Sequence, residues 1–254
     1  MIVIVIAGII AAGVSVFIRG PVEAWEAQHR RAELVDAAEM ALRRMARDVR
    51  RAVPNSVRIT GDDTLEMLNT LAGGRYRSSP GPGAASADKR LQFNQADTAF
   101  NIQGPFPTIA SADNYRLVVY NLGIPGADAW TGDAVVTPPG TIINIEADDV
   151  PGEQAVTLAP GHQFALQSPY RRIFLVDTAV RYSCGDGEMR RHVGYLPPDS
   201  PPPGALVTEN VGGCAFSYSP GTATRSGLVT ARITLTDAGE TITLLHQMHV
   251  DNAP

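Results

Sequence analysis

The sequence predicts an α+β fold, a long N-terminal helix packed on an antiparallel β-sheet, with the first half of that helix set in a membrane. Three observations carry this expectation. The chain opens MIVIVIAGIIAAGVSVFIRGP, in which no charge precedes Arg19. The next thirty residues keep a helical spacing of apolar side chains. After Val57 that period gives way to short β-rich runs bounded by turn residues. The organisation that follows is a transmembrane half-helix over 1–20, an amphipathic half of the same helix over 21–53, and a β-rich head domain over 54–254.

The opening stretch reads as a retained anchor. A cleaved signal peptide begins with basic residues and ends at a small-residue cleavage site, and here nothing basic comes first and a charged helical pattern follows without a break. A soluble core helix is rarely uncharged on every face for so long. As a helix the stretch is roughly 27 Å long at ~1.5 Å per residue, a little short of the hydrocarbon core of about 30 Å. Small residues recur every four positions, at Ala7, Ala11 and Ser15 and again at Gly8 and Ala12. That spacing lets helices approach closely, and the plainer alternative is an anchor merely rich in Ala and Gly.

The segment VEAWEAQHRRAELVDAAEMALRRMARDVRRAV continues the helix up to Pro54. Leu34, Ala38, Ala41, Leu42, Met45, Val49 and Ala52 form a stripe at spacings of three and four, the expected cover for one face of the sheet. Glu26 precedes Arg30 by four residues and Glu39 precedes Arg43 by four, the favourable acid-first order. Pro21 is expected to kink the helix rather than end it. Arg43, Arg44, Arg47, Arg50 and Arg51 crowd the helix end, where cations complement the dipole; contact with acidic lipid or a partner subunit is the alternative.

In the body, RLQFN, YRLVVYNL and GTIINIEA read as strands. RRIFLVDTAVRYSC, GDG and EMRRHVGYL read as a hairpin, because Asp-Gly suits a type I′ turn. LVTARITLT, DAGE and TITLLHQMHV read as a second, with Val229, Ala231, Ile233 and Leu235 on one face and Ile242, Leu244, Met248 and Val250 sharing a face of the return strand. GGRYRSSPGPGAASAD reads as a mobile loop and PPDSPPPG as an extended connector. Cys184 and Cys214 fit one disulfide in an exported protein, with two buried thiols as the alternative.

The 254 residues carry a net charge of −5, which excludes a general nucleic-acid binder. The charge is uneven, because 19–53 hold eight Arg against six acids. His246 and His249 stand three apart in a strand and so point to opposite faces, which excludes a paired metal site. Asp186 and Glu188 in GDGE lack the ligand run of a calcium loop. Asp62, Asp63, Asp148 and Asp149 read as loop acids and Ser183 as a strand residue. With no nucleophile elbow, phosphate loop or dinucleotide fingerprint, the sequence gives no case for an enzyme, a metal or a cofactor.

An apolar N-terminal helix running into an amphipathic one and then a sheet resembles the type IV pilins and pseudopilins. FIRGPVEAW, RRAELVDAAEMALRRMARDVRRAVPNSVRI, CAFSYSPGTATRSGLVTARITLT and LLHQMHVDNAP narrow the resemblance to the MshO family of minor pilin-like proteins of the mannose-sensitive haemagglutinin (MSHA) pilus. It covers both ends of the chain and little of 60–170. Family members carry a basic leader and a Gly-Phe-Thr-Leu-Ile-Glu type processing motif, and Met1 falls just after where the motif's acid would stand. The resemblance implies a structural subunit in pilus assembly. Its partners would be other minor and major pilins, the inner membrane and the assembly machinery. Its place would be a single pass through the inner membrane with a periplasmic head, or the filament or its tip. Two alternatives stand beside it, a minor pseudopilin of a type II secretion system and a membrane-tethered adhesin using Tyr115, Tyr120 and Trp130.

Overall fold

The computed structural model describes residues 2–80, 89–221 and 225–253, with the side chains of 9–12, 14–16, 18 and 19 outside the description. Helix α1 spans Ile2–Arg50 and continues through Pro21. Thirteen strands follow among the described residues: β1 Arg58–Ile59, β2 Thr64–Tyr76, β3 Asp97–Gln103, β4 Ile109–Ala112, β5 Arg116–Val118, β6 Ile142–Ala147, β7 Glu153–His162, β8 Arg172–Gly185, β9 Glu188–His192, β10 Ala205–Thr208, β11 Val211–Ser219, β12 Gly227–Asp237 and β13 Glu240–Val250.

The fold class read from the sequence is corrected on two points. The molecule is mostly β, and its strands form two sheets rather than one. A large sheet runs β10-β9-β8-β2-β3-β7-β6-β4, with β1 added on β2 and β5 on β8, and a small sheet runs β11-β12-β13. The membrane half-helix, and with it single-pass placement in the inner membrane, is also corrected: no helix among the described residues is long and apolar enough to cross a membrane.

Both hairpins form as their turns dictate. β8 and β9 pair from Gly185↔Glu188 outward, and Asp186 and Gly187 take φ of 53° and 77°, the two positive values a type I′ turn needs. β12 and β13 pair without a register shift from Asp237↔Glu240 to Gly227↔Val250. Their alternation puts Val229, Ala231, Ile233 and Leu235 wholly inside.

Elsewhere the local reading is corrected. RLQFN forms no strand; it is held as irregular chain, Leu91 N–H donating to the Arg77 carbonyl and Gln92 N–H to Asp97. The loop expected from Gly73 begins later, because GGRY is the end of β2. A side chain on Gly74 would collide with the Gln103 carbonyl, so these glycines allow two strands to approach rather than marking a turn. The rest of that loop, 81–88, lies outside the described residues.

One core joins α1, the inner face of β2, β8 and β9, and the small sheet. A second lies across β3, β5, β6 and β7. A third lies between β2 and β8 and the segments 118–136 and 195–196. The Cys184–Cys214 disulfide ties β8 of the large sheet to β11 of the small one.

Candidate functional site

Helix α1 divides into two parts with opposite surroundings. From Leu34 onward the stripe is buried: Leu34, Ala38, Ala41, Leu42, Met45 and Val49 are all at or below 5% exposure and belong to the core shared with both sheets. The i, i+3, i+4 spacing places them on one face, and the exposed face carries Glu39–Arg43 at 2.7 Å. A polar anchor fixes the helix from the side. Tyr182 Oη and Arg191 Nε both donate to Asp48 Oδ2, at 2.6 and 2.7 Å. Burial, then the Asp48 carboxylate, push the Tyr182 phenol well above its ordinary value, so it remains a donor. Sequence reading passed over Asp48, whose partners lie 134 and 143 residues away.

Before Leu34 the helix leaves the core. Ile2, Val3 and Ile4 are 76, 78 and 75% exposed, and Phe17 and Trp25 are 79 and 65% exposed. A side chain built on Gly8, Gly13 or Gly20 would meet nothing within 4 Å. Ala7 and Gly8 are exposed, Pro21 lies exposed within the helix, and Ala11, Ala12 and Ser15 lie outside the described residues. What is described of this stretch is apolar and without a partner in its own chain. Its C-terminal flank carries pairs along the helix, Glu26–Arg30 at 3.9 Å and His29–Glu33 at 3.3 Å, and Trp25 stacks on His29. Arg31 reaches Glu240 at 2.7 Å, where the helix meets the turn of the β12–β13 hairpin. An exposed apolar run such as Ile2–Ile6 marks an interaction site.

The remaining sequence candidates do not assemble into a chemical site. Tyr115 and Tyr120 pack against the second core and Trp130 against the third, so the three make no single aromatic surface. Glu188 is paired with Arg190 at 2.6 Å. Asp148 is paired with Lys89 at 2.6 Å. No group of three or more His, Cys, Asp or Glu among the described residues is placed to hold a metal ion.

Ser183 Oγ lies 2.9 Å from His192 Nε2, and His192 Nδ1 lies 2.7 Å from the Pro202 carbonyl. Nδ1 must then carry the proton and Nε2 accept from serine, the order a nucleophile and base require. Catalysis also needs donors aimed at a developing oxyanion and a place for substrate. Among the described residues, neither lines the cavities walled by Trp130, by Phe93, by Leu34 or by Cys214. The pair serves to join β8 to β9 and to the connector before β10.

A cleft of about 210 Å³ opens on the far side of the large sheet from α1. Leu68, Val118, Val176 and Leu196 wall it, and Arg116, Trp130 and Thr137 bring polar atoms. Of the candidate residues in the sequence only Trp130 lines it, because its walls come from five separated stretches of chain. Comparison with protein-family models, curated proteins and solved structures gives no match to this chain, so no pilin family is identified by them.

Proposed function

We propose that this chain is a minor pilin-like structural subunit of a type IV pilus, of the MSHA type that the sequence resemblance implies. It acts through contacts between helices and between head domains. The observation that supports the reading is the division of α1. Residues from Leu34 on are sunk in the head, while Ile2–Gly8 present bare apolar side chains with small residues among them. A segment held out in this way and left apolar gains stability by packing against other apolar surface. Small residues allow the close approach that such packing between helices favours. The partners are then the helices of other minor and major pilins, met through the assembly machinery.

The test is deletion of the gene in its own host, with surface filaments counted by electron microscopy and cell adhesion measured. The expected result is loss or marked reduction of filaments, restored by the intact gene. Unchanged filament number and adhesion would contradict the proposal.

A further inference from the structure

The head cleft has a property that subunit assembly does not call for. Arg116 is 91% buried at its edge. Its Nη1 donates to the Asp113 and Tyr115 carbonyls, both at 2.8 Å. Nε and Nη2 have no hydrogen-bond partner among the described residues. The acids Asp199 and Asp113 act on the guanidinium only through space, offsetting part of the downward pull of burial on its pKa. A largely desolvated cation with free donors, facing apolar walls, is matched by an anion that brings its own apolar body.

We propose that this cleft binds a small carboxylate carried on a single apolar ring, the carboxylate on Arg116 and the ring against Val118, Val176, Leu196 and Trp130. The size agrees, because a cavity of about 150 Å³ accommodates benzene and this one measures about 210 Å³. The wall is rigid on the Trp130 side: the indole Nε1 donates to the Ser56 carbonyl at 2.6 Å, and the Arg58 guanidinium lies over the ring at 3.7 Å. Pro197 and Pro198 also line the cleft. The pocket is therefore formed before a ligand arrives, which lowers the ordering cost of binding.

The experiment is a fluorescence titration of the full chain carrying Trp25→Phe, so that Trp130 is the sole tryptophan. Benzoate is the probe and benzyl alcohol its neutral counterpart. A saturable change with benzoate is expected, with benzyl alcohol at least about tenfold weaker, the value of a hydrogen bond to a charged group. Ala129→Leu, which fills the cleft from its wall, is expected to abolish the response. Arg116→Met is expected to bring benzoate down to the level of benzyl alcohol. If Arg116→Met does not fold, the comparison of the two probes on the chain with arginine still decides. No saturable response, equal affinity for the two probes, or an Ala129→Leu chain that binds as before would overturn the proposal.

Discussion

Replacing Gly8 with leucine separates what α1 does inside the subunit from what it does between subunits. In the isolated chain a side chain at this position meets nothing within 4 Å. It is also more than twenty residues from Leu34, where burial begins. The exchange therefore leaves the head domain unaltered, and locally it favours the helix by about 0.8 kcal/mol because glycine is a poor helix former. In an assembly that packs this face against a neighbouring helix, four extra carbon atoms enter a closely packed contact. Overpacking costs about 1–3 kcal/mol. That is a loss of roughly 5- to 150-fold in association, at ~1.4 kcal/mol per factor of ten. The assay has two arms: thermal unfolding of the head, followed by near-ultraviolet circular dichroism, and incorporation of the subunit into surface filaments. The reasoning predicts an unchanged melting curve and strongly reduced incorporation. Incorporation equal to the parent chain would refute it, because a leucine cannot be accommodated free of cost at a tight helix contact.

Other perturbations test the head. Changing both Cys184 and Cys214 to alanine removes a cross-link across thirty residues, worth about 3.6 kcal/mol of chain entropy; urea unfolding is expected to shift by that order and become insensitive to reductant. Met45→Ala empties a fully buried position between helix and sheets and is expected to cost about 2–5 kcal/mol, read by the same unfolding curve. Glu153 gives a pH signature. Burial alone would raise its pKa, but bonds from Asn101, Gln103 and Arg77 outweigh it and hold the carboxyl below its ordinary 4.5. A depressed folded pKa contributes stability that is complete above the unfolded value and is lost as pH falls through the folded one. Glu153→Gln is therefore expected to flatten the decline in stability below about pH 4.5, measured by denaturation at a series of pH values.

The parts of the fold that were legible in the sequence are those fixed by neighbours in the chain. Asp186-Gly187 and Ala238-Gly239 close hairpins because residues with positive φ must sit there, and alternation along 229–235 marks the buried face directly. The stripe from Leu34 to Val49 declares a buried side. What escaped depends on distant partners. Gly73 and Gly74 read as a loop because what requires them is distant in sequence, the Phe174 ring at Gly73 and the Gln103 carbonyl at Gly74. RLQFN has strand composition but is held by Lys89, Arg77 and Asp97 in an irregular path. The division into two sheets follows from pairings such as β2 with β8, a hundred residues apart, which no local pattern encodes. At the candidate sites, the small-residue spacing of 7–15 stays an expectation, because the side chains of Ala11, Ala12 and Ser15 lie outside the description, whereas the Arg116 cleft gave no signal because its walls meet only in the folded head.

The most direct measurement places a photoreactive amino acid at Ile6, with a second version at Met40 as the control. Both positions are exposed, at 51 and 66%, but only Ile6 lies on the part of α1 that the head leaves bare. Irradiation of cells bearing filaments, followed by mass spectrometry of the adducts, identifies what each position touches. The account predicts that Ile6 joins the apolar N-terminal helix of another filament subunit, and that Gly8→Leu in the same chain suppresses this adduct. Ile6 remaining monomeric in cells that carry filaments, or forming adducts unaffected by Gly8→Leu, would contradict it.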